Sequence, residues 1–229
     1  MIAFSIVLMS RSRPDMFEDL CKSINNTCLL DYEIHVGLDS DDPNLSDYIS
    51  IVNKIKKCKT HIENRNSNLH VRLNSMLESI SGKYIFGLND DCILTTKHWD
   101  KQAYDILNDF GDIVYGRTKD NSIDRVDSSY AAFPIVSTNA AKRLGFIMDD
   151  TYGNHGSDVI TYRIYNEANK VVDLSFLKID HRLHNSLDAL AMRQKDKTSI
   201  DMINRTMSAG FNVNTLFSMP VQDKVKKLL

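Results

Sequence analysis

The stretch KYIFGLNDDC, Lys83 to Cys92, decides the fold. An apolar run from Tyr84 to Leu88 stops abruptly at Asn89, Asp90 and Asp91. Gly82 bounds the run on one side and the polar triplet on the other, the pattern of a short buried strand. In open α/β sheets, ligands bind beyond the carboxyl ends of the strands, which is where the triplet falls. Two adjacent carboxylates repel each other unless positive charge lies beside them. A divalent cation that also holds a phosphate-bearing substrate meets that need, because hard cations take oxygen ligands. An Asp-rich turn after a strand is the simpler reading of the same three residues.

Working outward, strand and helix alternate. Ala3 to Met9 reads as a first strand, and Pro14 suits the first turn of the helix that follows. Met16, Phe17, Leu20 and Ile24 fall at helical spacing. Tyr32 to Leu38 alternates as a second strand and ends in LDSDDPN. A helix through Tyr48, Ile49, Val52 and Ile55 comes next, then a short strand, Thr60 to Ile62. A helix carries Leu69, Leu73, Met76, Leu77 and Ile80 on one face, with Gly82 as its C-cap. This alternation predicts a mostly parallel sheet flanked by helices. The carboxyl ends of its strands share one edge, so the clusters at Asp39 and Asp90 are expected to face one cleft.

The second half is read as a helix from Trp99 to Leu107, a strand from Asp112 to Tyr115 and a polar loop from Arg117 to Ser129. A helix begins near Thr138, another spans Val159 to Glu167, and a strand from Val171 to Ile179 ends in DHRLH. The expected layout is one catalytic domain over residues 1–185 and a C-terminal helical appendage over 186–229. Within the domain, a nucleotide-binding half covers about 1–95 and an acceptor half about 96–185.

Composition narrows the class. The chain has 229 residues, 42% hydrophobic and 25% charged, as in soluble globular proteins. A net charge of −2 gives no basic footprint for nucleic acid. Cys21, Cys28, Cys58 and Cys92 form no CxxC pair and no zinc spacing. That pattern predicts a reduced, intracellular, cytoplasmic protein. The N-terminal apolar run lacks a basic leader and is too short to span a bilayer.

Together these segments resemble the GT-A glycosyltransferases, in particular the family-2-like group. SIVLMSRSRPDMFEDLCKSI is similar to the group's opening strand, turn and first helix, with Ser12-Arg13-Pro14 at the turn. EIHVGLDSDDPN resembles its second strand and acidic cluster. NLHVRLNSMLESISGKYIFGLNDDC resembles its Arg-Asn helix and DxD motif. GSDVITYRIYNEANKVVDLSFLKIDH resembles its distal acidic residue, helix, strand and closing histidine. The resemblance covers Ala3 to His184. Two positions depart from it: Asn89 stands first in the DxD triplet, and Leu73 separates Arg72 from Asn74.

The resemblance implies a Rossmann-like nucleotide-diphospho-sugar transferase that uses Mn²⁺ or Mg²⁺ and a nucleotide sugar, with a UDP-sugar expected. Asp91 is expected to ligate the metal, with His181 completing its shell or contacting the diphosphate. Asp90 and Asn89 would lie nearer the donor. Asp39 would accept a base N–H, Arg13 would meet base or pyrophosphate, and Arg72 or Arg65 the phosphates. Asp158 would be the general base of an inverting transfer, in competition with a helix-capping role. His184 is an alternative to His181, and His155 lies near the proposed base. The acceptor stays open among a glycan, a lipid-linked sugar, a protein side chain and a modified nucleobase. Two other readings stand beside this one. A nucleotidyltransferase shares the carboxylate–metal logic, but SRSRP has no glycine-rich phosphate loop. A non-catalytic sugar- or nucleotide-binding relative is suggested by Asn89.

Overall fold

A computed structural model describes residues 1–66, 68–121, 130–151, 156–182 and 218–229. In chain order the strands are β1 (Phe4–Ser10), β2 (Tyr32–Asp39), β3 (Cys58–Glu63), β4 (Tyr84–Gly87), β5 (Cys92–Leu94), β6 (Tyr115–Asp120), β7 (Ile135–Ser137) and β8 (Val171–His181). The helices are α1 (Pro14–Thr27), α2 (Leu45–Val52), α3 (Leu69–Ser75), α4 (Trp99–Phe110), α5 (Thr138–Leu144), α6 (Ser157–Glu167) and α7 (Ser218–Leu228). The eight strands form one sheet in the order β3-β2-β1-β4-β7-β6-β8-β5.

Strand direction places the site. β1 pairs in parallel with β2 and β4, and β2 with β3. Nearly every residue of β1 and β2 is buried, as expected for parallel strands covered on both faces. β7 runs antiparallel to β4 and β6 antiparallel to β7, so β6 and its parallel partner β8 point the same way as β1. The carboxyl ends of β1, β2, β4, β6 and β8 therefore reach one edge. Those ends carry Ser10, Asp39, the NDD triplet, Asp120 and His181.

Two apolar clusters cover the sheet. One packs Phe17, Leu20 and Ile24 of α1 and Trp99 and Leu107 of α4 against Phe4, Ile6, Leu8 and Phe86. The other joins Val7, Ile85 and Tyr115 to Ile160 and Ile164 of α6 and to Val221, Val225 and Leu228 of α7. The C-terminal helix thus shares the second core, and its Lys224 pairs with the buried Asp149. The expected boundary at residues 185 and 186 lies outside the described residues.

Several local expectations are corrected. The predicted strand at Asp112 to Tyr115 begins at Tyr115 and runs on to Asp120, through residues read as loop. β5 and β7 have three residues each, too few to show a period. The second helix stops at Val52 and α3 at Ser75, with one 3₁₀ turn, Leu77–Ser79, beyond it. Gly82 is not the C-cap of α3 and does not have a positive φ. It is glycine because β1 passes against it. A Cβ at Gly82 would lie 2.5 Å from the Ser5 backbone nitrogen, and the Gly82 N–H donates to Ser5 Oγ at 2.9 Å. Gly82→Ala is expected to push β1 and β4 apart and to destabilise by about 1–3 kcal/mol, the usual range for overpacking. A urea midpoint equal to wild type would refute this account.

Candidate active site

The NDD triplet follows β4 in a turn closed by the backbone, with Cys92 N–H donating to Asn89 O at 3.2 Å. Asn89 is exposed, while Asp90 and Asp91 are buried. The two carboxylates do not cap the turn in the way an Asx-turn requires; both reach distant partners. Asp90 Oδ2 accepts from Ser10 Oγ at 2.6 Å and from Arg13 Nε at 3.1 Å, and Arg13 Nη2 lies 2.6 Å from Asp90 Oδ1. Tyr48 steadies this pair, with its hydroxyl 2.6 Å from Ser10 Oγ and accepting from Arg13 N at 2.9 Å. Burial pushes the Asp90 carboxyl up to about 6, against the opposing pull of Arg13 and Ser10.

Asp91 has a different partner. Its Oδ2 lies 3.3 Å from His181 Nε2, and its Oδ1 is buried with no hydrogen-bond partner among the described residues. Burial pushes the Asp91 carboxyl up, but the His181 imidazole, with Arg13 and a backbone hydrogen bond, holds the group below its ordinary range. Burial lowers the imidazole, yet hydrogen bonds to the Asp120 and Asp91 carboxylates hold it above its ordinary value. The two aspartates thus have different close partners, the Arg13 guanidinium for Asp90 and the His181 imidazole for Asp91. Asp91, Cys92 and His181 offer ligand atoms within 4.8 Å of one another. Burial drives the Cys92 thiol well above its ordinary value. Protonated and soft, it suits a hard cation poorly. The oxygen of Asp91 and the imidazole of His181 remain as the donor pair.

The second cluster stands at the end of β2. Arg72 is 3% exposed and pairs with Asp39 Oδ1, while its second terminal nitrogen donates to Leu38 O at 2.7 Å. Arg11 bridges Asp39 Oδ2 at 2.7 Å and Asp41 Oδ1 at 2.6 Å. Asp42 accepts from Ser12 N at 2.7 Å and Asn44 N at 2.8 Å, which makes it a turn former. Arg72 is thus placed behind Asp39, with its guanidinium taken up there. Arg65 is exposed and lines the cleft. Asn74 faces away from this pair. Its Oδ1 accepts from Ile147 N and Met148 N, tying α3 to the segment before Asp149.

A cleft of about 370 Å³ joins the two clusters. Arg11, Arg13, Asp39, Arg65, Asn89 and Asp90 line its polar side, and Leu69, Phe133 and Met148 its apolar side. Asp158 is half-buried at the start of α6, where its Oδ1 accepts from Val159 N at 2.9 Å. Its neighbour Ser157 bonds His70 Nδ1 at 3.0 Å, and His70 lines the cleft. His155 and His184 lie outside the described residues.

Three contributors escape the sequence reading: Ser10 and Tyr48, which hold Asp90, and Asp120, which lies 3.2 Å from His181 Nδ1. Ser10 sits at the end of the first strand, a position that could have flagged it. Tyr48 shows only as an apolar helix residue, and Asp120 sits where a loop is expected.

Residues 5–168 match the family described as Glycosyl transferase family 2. No curated protein matches the sequence. Among solved structures, S. aureus TarS 1-349 in complex with UDP is similar, with a TM-score of 0.63, 14% identity and coverage of 90% of this chain and 72% of that one. The longer S. aureus TarS structure gives 0.62 at 13% identity, covering 76% of this chain, which spans only 35% of that chain's length. The mannosyltransferase PcManGT from Pyrobaculum calidifontis, in complex with GDP-Man and Mn²⁺, gives 0.65 at 8% identity and covers 80% of this chain and 58% of that one. At such identities the likeness is one of fold.

Proposed function

The chain belongs to glycosyl transferase family 2 and has the GT-A fold of its structural neighbours, and from that premise we propose that it transfers a sugar, with inversion, from a UDP-sugar to an acceptor hydroxyl in a metal-dependent reaction. One observation carries the reading. Strand direction brings Asp39, the Asp90–Asp91 pair and His181 to one sheet edge, beside a cleft lined by Asp39, Asn89 and Asp90.

The residues fit a divalent ion. Asp91 Oδ1 is buried and lacks a hydrogen-bond partner among the described residues, and His181 Nε2 lies beside the same carboxylate. Asp91 and His181 would hold Mn²⁺ or Mg²⁺. Imidazole suits Mn²⁺ better than Mg²⁺. Such an ion, when bound, stabilises negative charge on the departing diphosphate.

The protein's own groups supply the rest. Asp39, fixed from behind by Arg72 and from the side by Arg11, accepts a base N–H with its remaining lone pairs. Arg65 and Arg13 bring positive charge to the phosphate side of the cleft. Asp90, neutralised by Arg13, faces the donor sugar or ribose, and Asn89 lies at the rim. Asp158 takes the acceptor hydroxyl proton as that oxygen attacks the anomeric carbon opposite the leaving group. The acceptor stays open, with a glycan, a lipid-linked sugar, a protein side chain and a modified nucleobase as the candidates.

A thermal-shift panel of UDP, GDP, CDP and ADP, with and without Mn²⁺, tests the reading. UDP with Mn²⁺ is expected to stabilise most, by about 2.7 kcal/mol at a hundredfold excess over its dissociation constant. Stabilisation by none of them would sink the proposal. With a UDP-sugar present, the product is expected to be UDP. Pyrophosphate as product would indicate nucleotidyl transfer, and binding without turnover a non-catalytic relative.

A further inference from the structure

One buried carboxylate of the cleft edge has no part in the reaction just described. Asp120 ends β6, and its side chain is 4% exposed. Its Oδ2 lies 3.2 Å from His181 Nδ1, while Asp91 Oδ2 lies 3.3 Å from Nε2. The imidazole therefore has a carboxylate at each nitrogen. Only one of the two carboxylates belongs to the metal triplet.

The strand end is built around this histidine. Next to Asp120, Asn121 Oδ1 accepts the His181 backbone N–H at 2.9 Å, and Asn121 Nδ2 donates to Asp180 Oδ1 at 2.6 Å. Phe133 meets the imidazole edge-on, with ring centroids 4.9 Å apart at 83°. The β6–β8 pairing slips in register between Arg117 and Lys119. Irregularities of this kind re-aim side chains near sites. Here the slip sets Asp120 opposite Ile179, two residues before His181. Beyond the backbone ladder, Arg117 and Asp173 join the two strands at 2.8 Å.

We infer that Asp120 is a positioning residue that decides which nitrogen of His181 serves as metal ligand. A histidine ligand has one nitrogen for the metal, and the hydrogen bond made by the other sets which. Asp120 accepts the Nδ1 proton and holds it there, so Nε2, on the Asp91 side, is the ligating nitrogen. Asp91 and His181 Nε2 would then hold a divalent ion, with the Nδ1–H group still bonded to Asp120. This inference rests on the metal site proposed above and adds a residue to its support.

The test uses Mn²⁺ itself, titrated into the full chain by loss of the free-ion EPR signal, with and without UDP. Asp120→Ala is expected to weaken Mn²⁺ binding by about 10–100-fold, the range for loss of an outer partner to a ligating histidine. Asp120→Asn keeps an oxygen acceptor for Nδ1–H at the same size, and is expected to recover part of that loss. It also serves if the alanine variant folds poorly. Because Asp120 works through His181, adding Asp120→Ala to a His181→Ala protein is expected to change Mn²⁺ affinity little. A role in folding alone would lower the melting temperature in both backgrounds and give additive effects. Wild-type affinity in Asp120→Ala, or full additivity with His181→Ala, overturns the inference while the metal site stands. Wild-type protein that takes up no Mn²⁺, with or without UDP, overturns both.

Discussion

Asp91→Ala is expected to abolish the Mn²⁺-dependent part of UDP binding while costing the metal-free protein little stability. The two halves of this result have one origin. Asp91 is buried, yet its Oδ1 has no hydrogen-bond partner among the described residues. A buried, half-satisfied carboxylate costs free energy in the absence of an ion. Its compensation is His181, which also has Asp120 at its other nitrogen. Removing the carboxylate relieves the unsatisfied Oδ1, gives up the contact with His181 that holds the carboxyl below its ordinary range, and leaves the imidazole with Asp120 as a partner. The same change removes the oxygen donor of the proposed metal pair. The loss in metal-dependent affinity is expected to exceed the roughly 10–100-fold that an outer-shell change brings. Melting curves with EDTA, with Mn²⁺ and with Mn²⁺ plus UDP read both halves. If Asp91→Ala keeps the Mn²⁺-dependent shift, the ion is held elsewhere. If it loses several degrees in EDTA, Asp91 is a stabilising residue and the triplet is better read as part of the scaffold.

The end of β4 was readable because its signal is local. A five-residue apolar run that stops at three polar residues needs no knowledge of the rest of the chain. The same holds for β2 and its acidic end. What could not be read was the partner of each carboxylate. Ser10 and Arg13 meet Asp90 from nearly eighty residues away, and Asp120 is separated from His181 by 61 positions. β6 is the instructive failure. YGRTKD buries Tyr115, Gly116 and Thr118, but it holds only one large apolar side chain. A strand without apolar alternation reads as loop, so Asp120 was not placed on the cleft edge. Arg72 fails in another way. Its helix was legible, but helical spacing does not say that a charged residue turns inward to pair with Asp39. Burial at 3% exposure is decided by that partner and not by the residue's own preference. The site is thus marked in the sequence by the acidic ends of its strands, and held together by contacts between distant residues that carry no local mark.

Asp158→Asn is expected to lower transfer by about 10²–10⁴-fold while leaving UDP and Mn²⁺ binding unchanged, the range for loss of a general base. Two roles compete for this carboxylate. It sits in the first turn of α6, where negative charge favours the helix dipole, and its Oδ1 accepts from Val159 N at 2.9 Å. Asparagine separates the two. Its side-chain oxygen can keep that hydrogen bond, so the helix end should lose only about 0.3–1 kcal/mol of dipole stabilisation. It cannot take a proton. A large fall in UDP release with a small fall in stability therefore assigns catalysis, whereas near-normal turnover removes Asp158 from the reaction and leaves it a helix-end residue. The contrast with Asp91 adds a control that neither variant provides alone. Ser157 bonds His70, which lines the cleft, and we propose that Asp158 beside it serves the acceptor side while Asp91 serves the donor side. If both substitutions abolish Mn²⁺-dependent UDP binding, the division into donor and acceptor walls is wrong. If only Asp91→Ala does so, while Asp158→Asn binds donor and fails to turn it over, each wall has its own chemistry. The segment beside α6 then becomes the place to look for what selects the acceptor.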